Sequence, residues 1–181
     1  MNISPTGIPG VHRVELDTHE DARGAFTRWY CDREMESLMD GKTIVQANHS
    51  LTRQTGAIRG MHYQLDPHRE TKIIRCIRGR VFDVAVDLRA DSPTLLQWHG
   101  EELQGDDNKL LVIPEGCAHG FQVIEAPAEL LYLHSAHYAP DYEGGIRFDD
   151  PRVGIQWPLA PGDISERDQS HPLLSSTFNG L

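Results

Sequence analysis

The histidine and the lysine that flank Pro67 are of types that can together remove a proton next to a carbonyl group. His62 and Lys72 stand at equal distances before and after Pro67, within GAIRGMHYQLDPHRETKIIRCIRGRVFDVAVDLR, residues 56–89. Neutral imidazole can act as a base near pH 7, and an ammonium group stabilises the enolate oxygen that forms. Residues directly opposite each other in an antiparallel pair have Cβ atoms about 4.5–5.5 Å apart and share a face. A hairpin turning at Pro67 is therefore predicted to aim both side chains at one small ligand.

The elements that must position this pair are predicted to be strands. Asp66-Pro67 favours a turn, and the flanking runs are rich in Ile, Tyr and Thr. Short strands separated by Gly, Pro, Asn and Asp recur along the chain, which indicates an all-β sandwich or barrel. The predicted strands are Val11–Leu16, Ala25–Cys31, Thr43–Asn48, Ala57–Gln64, Thr71–Ile77, Arg80–Leu88, Leu95–Leu103, Lys109–Ile113, Gly120–Ile124 and Leu130–Tyr138.

Helix is scarce in this pattern, and the chain is predicted to form a single domain, residues 1–181. The segment CDREMESLMDG, residues 31–41, is typical of one short helix with Asp32 as N-cap and Gly41 after its end. In the strand Arg80–Leu88, bulky apolar residues from Phe82 onward alternate with smaller and acidic ones such as Asp83. The bulky face suits a core between sheets, and the other face suits either a cavity lining or solvent.

Composition excludes several classes of partner. The chain carries 17 Lys and Arg against 27 Asp and Glu, for a net charge of −10. Nucleic acid and anionic membranes need a clustered positive surface, so neither is an expected partner. The three cysteines have no Cys-x-x-Cys spacing and are expected to be reduced thiols. Without a signal-like N-terminus or an apolar run of about 20 residues, the protein is expected in the cytoplasm.

A series of motifs in order along the chain resembles the dTDP-4-dehydrorhamnose 3,5-epimerase family. These are DARGAF (21–26), QANHS (46–50), RGMHYQ (59–64), ETK (70–72), GRVFDVAVDLRADSPT (79–94), IPEGCAHGF (113–121), Tyr132, YAPDYEGGI (138–146), DDP (149–151), WP (157–158) and SERD (165–168). The resemblance implies an antiparallel cupin-type jelly roll. It also implies a homodimer that needs no metal or other cofactor and acts on a nucleotide-linked 4-keto-6-deoxyhexose.

The resemblance assigns catalytic roles to four residues. His62 matches the family's base, and Asp168 matches the aspartate that orients it. Lys72 matches the lysine near the C4 carbonyl oxygen of the sugar. Tyr132 matches the proton donor on the opposite face, a role that suits a phenol because its ordinary pKa is near 10.

The same resemblance assigns further residues to substrate binding. The positions matching nucleotide or sugar contacts are Arg59, Arg23, Gln46, Asn48, Glu143 and Tyr138. Arg23 and Phe26 lie on the N-terminal segment that is implied to reach into the partner subunit's site. His119 matches a second histidine lining the pocket, with Asp83 as its expected partner. Guanidinium groups bind phosphate oxygens in a forked geometry, which would overcome the overall negative charge.

Two departures from the family pattern concern the substrate. Leu133 and His134 follow Tyr132 where many members carry a lysine next to the tyrosine, and Arg28 stands where a glutamate is frequent. The acid and base residues are unchanged. The identity of the nucleotide and sugar, and the inversion of one carbon or of two, therefore stay open.

Two alternative functions are compatible with the motifs. A metal-dependent cupin, such as a dioxygenase or isomerase, would use His62, Glu70 and His119, but Gln64 stands where a further histidine ligand belongs, and an amide is a poor substitute. A protein that binds nucleotide sugars without turnover would have little use for an aligned base and acid. Each of these residues, considered alone, is also compatible with a purely structural role. The SERD segment, for example, has the form of a helix capping box.

Overall fold

Two long strands, β7 (Lys72–Asp87) and β10 (Cys117–His134), pair antiparallel with each other and organise the whole molecule. The computed structural model describes residues 1–181. The other strands are β1 (Asn2–Pro5), β2 (His12–Glu15), β3 (Thr18–Asp21), β4 (Gly24–Thr27), β5 (Gln46–Thr52), β6 (Ile58–Gln64), β8 (Trp98–Gln104), β9 (Lys109–Ile113) and β11 (Glu143–Gly145). Helix is confined to α1 (Glu36–Met39), α2 (Glu166–Ser170) and a 3₁₀ turn at Pro140–Tyr142.

Both long strands bend midway, so each belongs to two sheets. Gly79 has φ +71°, and a Cβ there would lie 2.4 Å from the carbonyl oxygen of Glu125 and 2.5 Å from that of Pro127. The pairing register between β7 and β10 shifts on either side of this crossing, between Val123 and Leu130. Glycine permits both the backbone conformation and the close approach. The two sequence runs predicted as separate strands on each side of the bend are therefore single continuous strands.

All strands except β3 and β4 form one hydrogen-bonded sheet. The bend folds it into two facing halves, called the first and the second sheet below. The first sheet contains the first half of β7 and the second half of β10, together with β1, β2, β9 and β5. The second sheet contains the other halves of β7 and β10, together with β8, β6 and β11. This arrangement is an antiparallel cupin-type jelly roll, as predicted. Closing a sheet in this way leaves one end of the sandwich free for a ligand.

The predicted hairpin between β6 and β7 is wrong. The chain does turn after β6, where the N–H of His68 donates to the carbonyl oxygen of Leu65 at 2.8 Å. β6 then pairs with β10 and β11, whereas β7 pairs with β8, β9 and β10. The segment after the turn crosses from one sheet to the other, because β7 begins beside β9 and not beside β6.

Three apolar clusters fill the sandwich and cover its outer faces. Phe121, Ile74 and Val81 lie in the cluster between the sheets. The bulky residues of the second half of β7, from Phe82 to Leu88, instead pack beneath the C-terminal segment with Ile146 and Phe178. From the sequence we expected this face to pack between the sheets. The opposite face, with Asp83 and Ala85 fully buried, points inward and not to solvent.

The predicted helix at 31–41 is shorter than expected, because α1 spans only Glu36–Met39. The Asp32 carboxylate accepts a hydrogen bond from the N–H of its neighbour Arg33 and caps nothing. Asp40 and Gly41, with φ +48° and +74°, end the helix on its C-terminal side. Met35 and Met39 pack in the third apolar cluster, on the outer face of the first sheet. No helix in the structure has the length and apolar character to cross a membrane.

Candidate active site

A cavity of about 560 Å³ opens between the two sheets at the free end of the sandwich. Its first wall comes from β5, the start of β7 and the end of β10, and its second from β6, the start of β10, β11 and α2. Of the residues predicted from the sequence, His62, Lys72, Tyr132, Asp168, Asn48, Arg59, His119, Tyr138 and Glu143 line it. The cavity therefore collects side chains from distant parts of the chain.

A bulge in β6 places Arg59 and His62 in the same cavity. Arg59 lies opposite Phe121 of β10 and His62 opposite His119, so four residues of β6 span the same length as three of β10. In a regular strand, residues three apart point to opposite faces. Gly60 accommodates the bulge by adopting a φ of +118°, and a Cβ on it would lie 2.6 Å from the Cα of Gly120. Only glycine fits this position.

The same bulge helps to hold the aspartate beside His62. Asp168 accepts a hydrogen bond from the N–H of Gly60 at 3.0 Å and another from Nε2 of His62 at 2.8 Å. Ser165 caps α2 by accepting from the N–H of Asp168, so the predicted capping serine is present and the Asp168 carboxylate is free for His62. Burial by itself would raise the pKa of Asp168, but the hydrogen bonds from His62 and Gly60 lower it below its ordinary value.

This geometry determines which nitrogen of His62 can act as a base. An ionised carboxylate only accepts hydrogen bonds, so Nε2 carries the hydrogen that it donates to Asp168. The lone pair then lies on Nδ1, which has no partner in the protein. The side chain is 30% exposed and lines the cavity, so a bound ligand can reach it.

Lys72 projects from the opposite wall and meets His62. Its Nζ donates to the main-chain carbonyl oxygen of His62 at 3.2 Å and lies 3.3 Å from Oε1 of Glu70. The second oxygen of Glu70 lies 2.7 Å from Nδ1 of His134. Burial opposes ionisation of Glu70, but His134 and Lys72 outweigh it and lower its pKa. A buried carboxylate thus fixes the lysine ammonium at the cavity wall.

Tyr132 and His119 form the inner part of the cavity. The Tyr132 hydroxyl lies 3.1 Å from Oγ of Ser50. Burial raises the pKa of Tyr132 well above its usual range, partly offset by this hydrogen bond, so the phenol stays protonated. His119 packs edge-on against Tyr132, and its Nε2 lies 2.9 Å from the fully buried Asp83, the partner expected for it.

The mouth of the cavity carries the predicted binding residues. Arg59 donates from Nε to Oγ1 of Thr52 at 3.0 Å, and its guanidinium faces the cavity. The Tyr138 hydroxyl donates to Glu143 at 2.7 Å. Arg167 forms an ion pair with the same carboxylate. Burial would raise the pKa of Glu143, but Arg167 and Tyr138 lower it.

Three predicted binding residues do not line the cavity of their own chain. Gln46 lies just outside it, where it donates to Asn48 and accepts from the N–H of Tyr138. Arg23 and Phe26 lie on the β3–β4 hairpin, which forms a separate two-stranded sheet. The Arg23 side chain is 89% exposed and Phe26 is 70% exposed.

Sequence reasoning missed several residues of the site. Ser50 and Thr52 alternate with Asn48 on β5, and this period of two was a usable signal. Arg167 sits inside the SERD motif but was given no binding role. His134 was noted only as a departure from the family pattern. No sequence signal pointed to the contact between His171 and His62, whose rings lie 6.2 Å apart.

The residues that a metal-dependent cupin would use as ligands, His62, Glu70 and His119, do not come together around one point. Glu70 is held by His134 and Lys72, and His119 is held by Asp83. Gln64 bonds to main-chain groups near the cavity mouth. The one group of three potential ligands within mutual reach is His62, Asp168 and His171.

Comparison with known proteins identifies the family. The family model described as dTDP-4-dehydrorhamnose 3,5-epimerase matches residues 5–176. A dTDP-4-dehydrorhamnose 3,5-epimerase from Salmonella typhimurium is 40% identical over 98% of both chains. A dTDP-4-dehydrorhamnose 3-epimerase from Streptomyces niveus is 39% identical, over 97% of this chain and 84% of its own.

A solved structure shares the arrangement of the whole chain. The dTDP-6-deoxy-D-glucose-3,5-epimerase from Legionella pneumophila Philadelphia 1, in complex with dTDP-4-keto-L-rhamnose, superposes with a TM-score of 0.88 at 37% identity. The alignment covers 94% of this chain and 90% of that one. Sequence, fold and family model agree over nearly the full length, and the chain belongs to the dTDP-4-dehydrorhamnose 3,5-epimerase family.

Proposed function

We propose that residues 1–181 form a single domain that epimerises a dTDP-linked 4-keto-6-deoxyhexose at C3, C5 or both, by proton transfer without a metal. The observation that carries this is the meeting of the His62–Asp168 pair and the Lys72 ammonium in one cavity. The Legionella relative binds dTDP-4-keto-L-rhamnose, which supports the same class of substrate here. The relative from Streptomyces niveus is named as a 3-epimerase, so family membership leaves the number of inverted carbons open.

In the proposed reaction, Nδ1 of His62 takes the proton from the carbon next to the C4 ketone. The electrons of the C–H bond form the enolate double bond, and the carbonyl oxygen becomes an anion beside Lys72. In a site shielded from water, a fixed ammonium lowers the energy of that oxyanion. Asp168 stabilises the imidazolium that results and keeps the ring oriented.

Tyr132 then delivers its hydroxyl proton to the carbon from the opposite face, which inverts the configuration. The raised pKa of this buried phenol keeps the proton in place until a carbanion is present to receive it. Solvent returns the phenolate and the imidazolium to their starting states. The net change is one inverted carbon per cycle, with no cofactor consumed.

The remaining residues are proposed to bind the substrate. Arg59 is the arginine of the cavity without a carboxylate partner, and it suits a phosphate of the diphosphate. Asn48, His119, Tyr138 and Glu143 would contact sugar or base, with Gln46 and Asp83 holding them in place.

We further propose a cytoplasmic homodimer in which the β3–β4 hairpin of each chain enters the partner's cavity. The exposure of Arg23 and Phe26 supports this, and the one partner of the Arg23 guanidinium in its own chain is Asp21 of the same hairpin. A dianionic diphosphate needs more positive charge than Arg59 supplies. Mixing inactive R23A and H62N chains tests it. Random pairing makes about half of the dimers mixed, and in each mixed dimer one of the two sites has both groups intact. About a quarter of wild-type activity should therefore return. A mixture as inactive as its parents would refute the exchange.

Solvent exchange tests the proposed reaction. In deuterated water, dTDP-4-keto-6-deoxyglucose should gain deuterium at C3 and C5 for a double epimerase, and at one carbon for a single epimerase. His62→Asn should abolish the exchange with the fold intact by circular dichroism. If wild-type protein binds the nucleotide sugar but exchanges nothing, it is a binding protein or requires a different nucleotide sugar.

A further inference from the structure

His171 places an unsatisfied nitrogen next to the proposed base. It follows α2 directly, three residues after Asp168, and its ring meets that of His62 edge-on at 6.2 Å. Its Nε2 is buried and has no hydrogen-bond partner. A buried polar atom left without a partner costs free energy, so its persistence beside the His62–Asp168 pair calls for a functional explanation.

We propose that His62, Asp168 and His171 form a site for a divalent transition-metal ion, best matched by Zn²⁺. One ligand atom from each of the three lies within 4.8 Å of the other two. Zinc binds imidazole nitrogen and carboxylate oxygen at about 2.0–2.2 Å, and three protein ligands with one open position is a common zinc arrangement. In a tetrahedral site with such bonds, neighbouring ligand atoms lie about 3.4 Å apart. Side-chain adjustments of at most about 1.5 Å therefore suffice to close the site.

The surrounding backbone provides room for the second imidazole. Gly145 of β11 pairs with His62, and a Cβ on it would lie 2.3 Å from Nε2 of His171. Any larger residue at Gly145 would push the imidazole away from His62. The absence of a side chain there is thus a condition for the three-residue cluster.

The nearby charges do not oppose a cation. Two positive side chains lie near the cluster and each is ion-paired: Arg167 with Glu143, and Lys72, which contacts the main chain of His62, with Glu70. The Asp168 carboxylate contributes the one anionic ligand of the site. Two neutral imidazoles and one carboxylate suit borderline metals such as zinc, in contrast to the oxygen ligands preferred by magnesium or calcium.

A bound zinc ion would switch the catalytic pair off, an expectation that rests on the proposed function. Zinc binds the lone pair of Nε2, so the one ring hydrogen of neutral His62 moves by way of solvent from Nε2 to Nδ1, with no net release of a proton. The hydrogen of the neutral imidazole must then reside on Nδ1, so the lone pair proposed to take the substrate proton is lost. Zinc is therefore an inhibitor of this enzyme and not its cofactor.

Calorimetric titration of the full-length, sugar-free protein with ZnCl₂ tests the site independently of catalysis. Wild-type protein should bind one Zn²⁺ per chain at this site, and His171→Gln should weaken binding by at least about tenfold, because an amide is a poor zinc ligand. His12→Gln, on β2 at the far side of the sheet order, is the matched control and should bind as wild type does. His171→Leu, with folding checked by circular dichroism, provides a second variant.

Equal zinc affinity in wild type, H171Q and H171L would overturn the proposal, as would wild-type protein that binds no zinc. If epimerase activity is present, zinc should suppress exchange in wild type, EDTA should restore it, and H171Q should keep exchanging in the same zinc concentration. Absence of exchange in zinc-free wild-type protein would count against the proposed function with that nucleotide sugar, and the calorimetric result would still decide on the metal site.

Discussion

Lys72 donates a hydrogen bond from Nζ to the main-chain carbonyl oxygen of His62 at 3.2 Å, although the two residues lie on strands that do not pair. The contact spans the gap between the facing sheets. It brings the proposed base and the proposed oxyanion-stabilising cation to one end of the cavity. Because Glu70 and His134 hold the lysine from the other side, its position does not depend on a bound ligand.

Replacing Lys72 should therefore affect turnover more than binding. We expect Lys72→Gln to lower kcat by about 10²–10³-fold, as is typical when a preorganised oxyanion-stabilising group is lost. The Kd for dTDP should change little, because the proposed nucleotide-binding residues, such as Arg59, lie elsewhere. Steady-state kinetics and calorimetry separate the two effects, with Lys42→Gln as control, because Lys42 also pairs with a glutamate, Glu115, but lies outside the cavity. A large loss of dTDP affinity at unchanged kcat would instead make Lys72 a binding residue.

Replacing Tyr132 should separate proton removal from inversion. In Tyr132→Phe the base remains and the acid on the other face is gone, so His62 can only return a deuteron to the face it came from. The expected product carries deuterium with retained configuration, detectable by NMR. Ser50→Ala removes the hydrogen-bond partner of the tyrosine while keeping its proton, and should still invert. Full inversion by Y132F would assign the acid to another group.

Asp168→Asn should inactivate the base without unfolding the site. The amide oxygen can still accept from the N–H of Gly60, but its NH₂ group donates to Nε2 of His62 and forces the hydrogen onto Nδ1. A wrong tautomer of this kind costs about 10²–10⁴-fold in rate. Solvent exchange measures the loss, and Asp163→Asn, another cavity carboxylate, serves as control. Comparable losses in both variants would point to a general effect of cavity charge.

The bulge in β6 should tolerate no side chain. Gly60→Ala places a methyl group 2.6 Å from the Cα of Gly120, at a φ of +118° that alanine avoids. We expect a loss of at least about 2 kcal/mol in the free energy of unfolding, measured with urea, and no exchange activity. Gly7→Ala, with nothing within 4 Å of the added methyl group, should be neutral. A stable and active G60A would show that the bulge can rearrange.

The buried Asp87–Arg89 pair should make stability depend on acid pH. Burial alone would raise the pKa of Asp87, but hydrogen bonds from Arg89, Ser92 and Thr94 lower it to about 2, against an ordinary 3.8. A carboxyl whose pKa is lower in the folded state stabilises the fold above pH 4, by about 2 kcal/mol, and this contribution is lost as the pH falls toward 2.

Urea denaturation of wild type and Asp87→Asn at several pH values checks this linkage. The difference in stability between the two proteins should be largest at neutral pH and shrink between pH 4 and pH 2. Asp91→Asn, an exposed aspartate in the adjoining loop, is the control and should show no such trend. A difference that stays constant with pH would mean that folding does not shift the pKa of Asp87.

The all-β class and most strands could be predicted from the sequence, because alternation of apolar residues and turn-forming residues is a local signal. Local signals also located the RGMH segment and the capping serine of α2. The pairing of β6 with β10 could not be predicted, since Pro67 predicts a turn but not which strand lies beside the next one. The bend at Gly79 depends likewise on close approach to Glu125 and Pro127, far along the chain.

The order of motifs along the chain identifies the functional groups: a histidine, a lysine, a tyrosine and an aspartate. How these groups meet depends on packing between distant elements. Arg59 and His62 share a face because the backbone of β10 forces a bulge at Gly60, and Lys72 reaches His62 across the gap between the sheets. His171 joins the pair because α2 returns to β6 more than a hundred residues later. Such contacts are set by the packing of whole elements, which no local pattern of residues encodes.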